Sequence, residues 1–465
     1  METKQIVAVV LIVIIIAGVA VGVFLLLPAP YGAIVIGQLV TPGAPAGTPR
    51  EQIINVGLLG DLGDITGQGN WKGAYMACDE LNTAGGIEID GVTYYFGLVA
   101  EDTFEAEAQL DTTKGTAAAT KIITQDGAQF IMGGFRSEAL LAYLETVMDE
   151  DMLFLDTGAA TDVFCEKVSG GTWPSGTESD YDRYKYFFRL MPINTTSLIT
   201  SLFTYIVYLK GFLNATQGLN VTRVALMRED LAWTATMPAV MNLKLPLLGM
   251  ELVADVAFPI DAESADFATY WQQIQTAGAQ VTVPILSGSG GILMTTQYAQ
   301  VQPKCVLVGI NVMGQLDNYW NNTGGACQYE TLLQSVHRTA KTTRTIPFWD
   351  NFIDHYGAEP LYTAVGAYDG LYILAEAIEN AQSLVSADIV PHLEAINTNN
   401  PFIGAGGTIA FTSTHDLFAS PSFSYTLLCQ WQSGGTKVVV PTGGYVYPDT
   451  VSTGTLSLPP WGINA

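Results

Sequence analysis

Two short turns of the sequence carry hydroxyl groups where an anion can be bound. Ser137 precedes an amphipathic segment and follows the apolar run 130–132. Thr161 follows the next apolar run, 152–155. A hydroxyl and the free amide groups at the start of a helix form an anion site, which the helix dipole favours. Both hydroxyls have the simpler alternative of capping a helix, but because two such turns follow neighbouring strands, we favour anion binding.

The composition excludes several classes of protein. The 465-residue chain has 44 acidic and 19 basic residues, a net charge of −25 and a pI near 4.3. Nucleic acid is therefore not expected as a partner, because its phosphates attract basic surfaces, and binding to anionic lipid headgroups is disfavoured for the same reason. With 49% hydrophobic and 14% charged residues, the chain is long and apolar enough for two ordinary domains.

No motif of an enzyme or a metal site is found in the sequence. The glycine-rich segment 287–291 matches neither a nucleophile elbow nor a phosphate loop. The carboxylates of 105–109 are assigned to the solvated face of a helix. We therefore expect no catalytic residue, no cofactor and no metal. The histidines do not cluster, and we interpret each as a surface or helix-end residue: His337, His355, His392 and His415.

The cysteines and the glycosylation sequons bear on the compartment. The five cysteines show no CxxC spacing, which argues against a zinc site. The nearest pair is Cys305 and Cys327, but spacing alone does not assign a bridge, and Cys78 is predicted to be a buried free thiol. Four N-x-[ST] sequons agree with an exported glycoprotein, and they begin at Asn194, Asn214, Asn220 and Asn321.

The N-terminal segment predicts where the chain works. Residues 6–27 form an unbroken apolar run, and about 20 helical residues span a bilayer. A cleaved signal peptide has a shorter apolar core of about 7–15 residues, so we favour a retained single-pass transmembrane anchor, or an uncleaved signal. Lys4 favours a cytoplasmic position for residues 1–5, which leaves the rest of the chain extracellular or periplasmic. Residues 28–50, rich in Pro, Gly and Ala, are predicted to be a semi-rigid tether.

The rest of the chain alternates strand-like and helix-like segments in two series. The first series includes a strand at 53–59, a helix at 69–81, a strand at 93–100 and a helix at 106–123. Such alternation is typical of an α/β fold with parallel sheets covered on both faces, and two series predict two doubly wound lobes joined by a hinge. Ligands of such sheets bind beyond the carboxyl ends of the strands. The predicted division is 51–190 with about 345–400 for lobe I, and about 191–344 with 401–465 for lobe II.

The turns after these strands resemble those of a known family. The segments GLLGDLGDITGQGNWKGAYMACDELNTAGGI, LVAEDTFEAEAQ, FIMGGFRSE and LFLDTGAATDVF are similar to the Leu/Ile/Val-binding proteins. These are solute receptors of ABC importers, in the type I periplasmic-binding-protein superfamily. The order and spacing of these segments, over roughly residues 53–431, make the resemblance specific for the fold. It implies two lobes that close over a small ligand and a permease in the membrane as partner.

The resemblance also implies roles for single residues. Ser137 matches a residue that donates a hydroxyl to the ligand carboxylate. Ala159, Ala160 and Thr161 match a turn that adds backbone N–H groups and a threonine hydroxyl. Trp233 falls on the position of an aromatic ring of the second lobe, whose face covers an aliphatic or cationic group; a core tryptophan is the alternative.

Two positions depart from the family, and a third stays open. Asn311 stands where the amino-acid receptors have a glutamate for the ligand ammonium, and Thr66 replaces a tyrosine of the first turn. Arg136 either adds a bidentate contact to a carboxylate or faces solvent. A buried cation without a counter-charge is costly. Either the ligand lacks an ammonium group or another carboxylate replaces that glutamate: Asp61, Asp64, Glu229 or Asp230.

The sequence therefore predicts a membrane-tethered receptor outside the cytoplasm. It captures a small polar ligand, an amino acid, amide or small carboxylate, and delivers it to an ABC transporter. Because the fold also serves signalling, the alternative is a sensor module that acts through a separate signalling partner.

Overall fold

The structure is a computed structural model that describes residues 30–169, 176–444 and 446–464. The predicted anchor at 6–27 lies outside the described residues. Within them, one helix is long and apolar enough to cross a bilayer by length and composition alone, Thr195–Gln217. Its residues Leu202, Ile206 and Leu209 are buried. Because the core helix of a domain passes the same test, this helix is weak evidence for a membrane span.

The described residues contain fifteen strands, of which those at 87–89, 331–334, 402–403 and 436–439 were not predicted. In chain order they are β1 (Ile53–Gly60), β2 (Ile87–Ile89), β3 (Val92–Asp102), β4 (Phe130–Gly133), β5 (Phe154–Asp156), β6 (Phe187–Arg189), β7 (Arg223–Glu229), β8 (Glu251–Phe258), β9 (Val281–Leu286), β10 (Val306–Asn311), β11 (Thr331–Gln334), β12 (Phe402–Ile403), β13 (Thr408–Ile409), β14 (Leu427–Gln432) and β15 (Thr436–Val439).

These strands form two large sheets, one in each lobe. The first has the order β2-β3-β1-β4-β5-β6, and the second has the order β15-β14-β11-β10-β9-β7-β8. Antiparallel pairs lie at the edges, and the central pairs are parallel. Every residue of β1 is buried, as expected for a parallel strand covered on both faces. The prediction of two doubly wound lobes is confirmed.

Helices connect the parallel strands, and several begin at a side chain that caps them. Asp64 caps the first, Asp111 the second and Asn194 the long helix of the second lobe, because each side chain accepts a bond from an otherwise unpaired N–H group. The helices are α1 (Ile65–Thr83), α2 (Thr112–Thr124), α3 (Ser137–Met148), α4 (Val163–Val168), α5 (Tyr181–Tyr184), α6 (Thr195–Gln217), α7 (Met237–Lys244), α8 (Ser264–Ala277), α9 (Gly290–Val301), α10 (Tyr319–Asn322), α11 (Thr345–Tyr356), α12 (Tyr362–Ala381) and α13 (Ser386–Glu394).

The described chain passes between the lobes three times, after β6, after β11 and after β13. Lys341 connects the second and third crossings, because its Nζ donates to Ser335 O at 2.8 Å and to Tyr425 O at 2.7 Å. Asp369 of α12 accepts hydrogen bonds from the N–H groups of Ala405 and Gly406. The residues just after 401, which we had assigned to lobe II, therefore pack on lobe I before the third crossing.

The predicted tether needs a correction over 36–42. Gly37 N donates to Ala100 O, and Val40 exchanges two backbone hydrogen bonds with Leu98 of β3. These residues cover the edge of β3 that faces away from β1, which protects an otherwise open strand edge. The end of the proline-rich segment is therefore part of lobe I rather than a free linker.

The helix predicted at 106–123 begins only at Thr112, because Asp111 caps it. Glu105 lies before it in a loop and is fully buried, so its assignment to a solvated helix face was wrong. Two histidines assigned to the surface or a helix end, His337 and His415, are also buried. The five cysteines are buried free thiols, as predicted for Cys78.

Asn82 joins the segment 36–42 to β3, and its replacement tests this contact. Its Nδ2 donates to Pro42 O and Phe96 O, and its Oδ1 accepts from Phe96 N. Asn82→Ala leaves buried backbone groups unpaired, each at a cost of about 1–3 kcal/mol. We expect calorimetry to give a Tm lower by roughly 5 °C or more. Asn322→Ala, at an exposed helix position, is the control, and an equal Tm for both variants would contradict this role.

Candidate ligand-binding site

A cavity that is partly open to solvent lies between the two lobes. Lobe I contributes the turns after β4 and β5 and the start of α12, and lobe II contributes the turns after β7, β9 and β10. The lobe crossings supply the remaining walls through Ile193, Leu198, Leu333, Ser335 and Thr426.

Ser137 offers a hydroxyl at the N-terminus of α3, inside this cavity. Thr161 N donates to Ser137 Oγ at 3.2 Å, so the proton of Ser137 has no acceptor among the described residues. The N–H group of Ala160, which also lines the cavity, likewise has no partner in the described part of the chain. These donors and the dipole of α3 favour a negatively charged ligand group.

Arg136 is the cation of the cavity wall. Its Nη1 donates to Glu107 O at 2.9 Å, and its Nε lies 3.6 Å from Glu138 Oε2. Its backbone N donates to Glu105 Oε2 at 3.2 Å. Burial raises the pKa of Glu105 to about 8, so this carboxyl is mostly neutral at pH 7 and does not cancel the charge of the guanidinium.

The opposite wall is largely apolar. Trp233 lines the cavity from lobe II together with Leu231, Ile310 and Val312. Aromatic rings from lobe I, those of Phe135 and Tyr362, also line it. Such walls favour a ligand with an apolar body, because its surface leaves water on binding.

Asn311 lies behind the cavity rather than in its wall. Its side chain is fully buried, and its Nδ2 donates to Tyr319 Oη at 2.8 Å and to Glu330 Oε1 at 2.9 Å. Thr295 Oγ1 donates to Glu330 Oε2 at 2.8 Å, and burial raises the pKa of Glu330 to about 7. Asn311, predicted as a ligand-binding residue, therefore does not line the cavity in this structure.

Three other predicted site residues also stay outside the cavity wall. Thr66 donates from both N and Oγ1 to the capping residue Asp64. Ala159 N donates to Asp156 Oδ1 at 2.9 Å, and Thr161 N is bonded to Ser137. The structure therefore brings together four of the eight predicted residues: Arg136, Ser137, Ala160 and Trp233.

The sequence prediction missed part of the cavity wall. Gly158, Ser287 and Val312 lie in turns that follow strands, and that position was a signal for them. Tyr362 and Gln315 also line the cavity, but Tyr362 begins a helix far along the chain, and no local pattern marks it.

Direct contacts join the two lobes beside the cavity. Ala232 N in lobe II donates to Glu138 Oε1 of α3 at 2.8 Å. Lys437 Nζ lies 3.2 Å from Glu359 Oε2, and Glu359 N donates to Asp317 Oδ2 at 3.3 Å. The lobes are therefore held against each other at more than one point.

A comparison of the sequence with known families agrees with this fold. The sequence matches the periplasmic binding protein family over residues 54–435, most of the chain. The chain belongs to this family. A search of curated proteins by sequence finds no match.

Several solved structures share the fold of this chain. A leucine-binding protein from Thermotoga maritima is 16% identical with a TM-score of 0.65, over 83% of this chain and 98% of that chain. An ABC transporter substrate-binding protein from Desulfitobacterium hafniense, in complex with Leu, is 17% identical with a TM-score of 0.63, over 83% and 100%. A solute-binding protein from Rhodopseudomonas palustris, in complex with 3,4-dihydroxybenzoic acid, is 15% identical with a TM-score of 0.63, over 82% and 93%.

The buried carboxyl behind Asn311 predicts a pH-dependent stability. Because the pKa of Glu330 is raised in the folded state to about 7, its contribution to stability is present below its unfolded pKa of about 4.5 and is lost as the pH rises through 7. The variant Glu330→Gln has no carboxyl group to ionise at this position and therefore does not lose this stability as the pH rises. We expect its Tm to match the parent at pH 4.5 and to exceed it by a few degrees at pH 8.

The control for this prediction is Glu251→Gln, at an exposed strand position. Melting curves of the parent and both variants at pH 4.5 and pH 8 are the measurement. A difference between Glu330→Gln and the parent that does not change with pH would show that Glu330 is ionised in both states.

Proposed function

We propose that this protein is a solute-binding receptor that captures a small carboxylate-bearing ligand between its lobes and delivers it to an ABC transporter. The observation that carries the proposal is the set of donors at one end of the cavity. Ser137, Ala160 and Arg136 line the same cavity, and together they offer a hydroxyl, a backbone N–H group and a guanidinium. Hydrogen bonds from such groups to a carboxylate are stronger than those between neutral partners.

Two of the similar structures support this assignment. The protein from Desulfitobacterium hafniense is in complex with Leu, and that from Rhodopseudomonas palustris is in complex with 3,4-dihydroxybenzoic acid. Both ligands carry a carboxylate, although their remaining groups differ. A carboxylate is therefore the group that we expect the ligand of this chain to share with them.

Capture proceeds by closure of the lobes around the ligand. The three crossings form a hinge, and ligand contacts made only in the closed state shift the population toward it. The contact between Glu138 of lobe I and Ala232 of lobe II lies beside the cavity and adds to the closed state. The apolar segment 6–27 tethers the receptor to the membrane, with the lobes outside the cytoplasm and close to a permease.

Ser137→Ala tests the proposed carboxylate site. We expect the affinity to fall at least tenfold, because the variant loses a charge-assisted hydrogen bond. The ligand for the test is the compound with the largest thermal shift in a panel of amino acids, aromatic acids and short branched acids. Calorimetric titration of the parent and the variant is the measurement.

Two substitutions serve as controls for Ser137→Ala. Ser422→Ala removes an exposed hydroxyl and is expected to leave the affinity unchanged. Thr161→Ala is expected to change it less than threefold, because the Thr161 hydroxyl accepts from Val163 N at 3.5 Å and its side chain does not line the cavity. A Ser137→Ala variant that binds as well as the parent would contradict the proposal.

Glu138→Ala tests the contribution of lobe closure. The variant loses the acceptor of Ala232 N, so we expect a several-fold weaker affinity and a larger radius of gyration with ligand by small-angle scattering. Glu138→Gln keeps an acceptor oxygen and removes the charge beside Arg136, which makes it the matched control. Equal loss in both variants would show that the hydrogen bond from Ala232 N does not contribute to closure.

A further inference from the structure

The charged side chain in the cavity wall is a cation, although the chain is strongly acidic. The chain has 44 acidic and 19 basic residues, yet the described residues that line the cavity include Arg136 and no aspartate or glutamate. An ammonium group buried there would lie without a counter-charge, at a cost of several kcal/mol in desolvation. A carboxylate would instead contact Arg136 and the hydrogen-bond donors at the N-terminus of α3.

The carboxylates nearest to the cavity are already engaged. Glu229 accepts from Ser287 N at 2.8 Å, from Ser287 Oγ at 2.5 Å and from Gly288 N at 2.8 Å. Glu138 Oε1 accepts from Ala232 N, and its Oε2 lies 3.6 Å from Arg136 Nε, with no hydrogen-bond partner among the described residues. Neither carboxylate lines the cavity wall, and an ammonium group would have to compete with Arg136 for Glu138 or displace the hydrogen bonds of Glu229.

The other carboxylates that we considered as partners of an ammonium group also lie elsewhere. Asp61 accepts from Gly63 N and Ala106 N, and Asp64 caps α1. Asp230 is largely exposed to solvent and lies 3.7 Å from Arg228. The described residues therefore offer no carboxylate that faces a ligand in the cavity.

Gln315 supplies an unused acceptor in the same cavity. Its Oε1 is buried and has no partner among the described residues. A buried acceptor without a donor costs about 1–3 kcal/mol, and a ligand hydroxyl or amide N–H would remove this cost. Gln315 belongs to lobe II, whereas the anion-binding groups belong to lobe I.

We propose that the solute is a carboxylate without an amino group, with an apolar body and a neutral hydrogen-bond donor that Gln315 accepts. This inference rests on the proposed function. Lobe I binds the carboxylate, and the aromatic rings of Phe135, Trp233 and Tyr362 contact the body. The neutral hydrogen-bond donor of the ligand then lies against Gln315 of lobe II, so the same ligand contacts both lobes.

Matched ligands test the inference. Each apolar body is offered as the acid, the amino acid and the amine: 3-phenylpropanoate, L-phenylalanine and 2-phenylethylamine, and likewise 4-methylpentanoate, L-leucine and 3-methylbutylamine. Calorimetric titrations with the full chain at pH 7.5 are expected to show the acids binding at least tenfold more tightly than the amino acids. The amines are expected not to bind.

The 3- and 4-hydroxy derivatives of 3-phenylpropanoate test the role of Gln315. We expect one of them to bind at least threefold more tightly than the parent acid, and we expect this gain to disappear in Gln315→Met, which keeps the length of the side chain. If neither hydroxyl improves binding to the parent protein, the part of the proposal that concerns Gln315 is overturned.

The outcomes separate this inference from the proposed function. Amino acids that bind as tightly as the acids, with the affinity reduced by Ser137→Ala, would overturn the inference and leave the receptor function standing. If only the amines bind, or if none of the six ligands binds, both the inference and the proposed carboxylate site are overturned.

Discussion

The turn before α3 is the structural constraint on which the proposed anion site depends. At Gly133, with φ 133°, an added Cβ would lie 1.9 Å from Leu59 O, so only glycine lets the chain pass this close to β1. Glu105 then accepts from Arg136 N, and Tyr143 Oη donates to the same carboxyl oxygen at 3.4 Å. A buried, mostly neutral carboxyl group therefore fixes the start of the helix without opposing an anion.

Two carboxyl groups of lobe II, those of Glu229 and Glu330, are buried and do not line the cavity. Glu330 is surrounded by hydrogen bonds from Asn311, Thr295 and Tyr319, and burial raises its pKa. Burial also raises the pKa of Glu229, whose oxygens accept three hydrogen bonds from the turn after β9. In the described wall of the cavity the charged side chain belongs to lobe I, and lobe II supplies apolar surface and neutral polar groups.

The alternation of strands and helices predicted the two lobes and the turns at the strand ends, because both depend on local hydrophobic patterns. The turns after the strands predicted Ser137 and the family resemblance predicted Trp233, and both residues line the cavity. Asn311 was predicted beside them but does not line the cavity, since its side chain donates to Glu330, which lies 19 residues later in the chain. Sequence patterns could not locate Tyr362 or Gln315, because their position in the cavity depends on how the two lobes meet, which no local pattern encodes.

The most direct measurement is a crystal structure of the protein with its bound solute. The account predicts one solute between the lobes, with a carboxylate oxygen about 2.7–3.2 Å from Ser137 Oγ and from Ala160 N. Its apolar body should lie against Trp233. A solute bound outside the interlobe cavity, or bound with its carboxylate at Gln315 and a positive group at α3, would contradict the account.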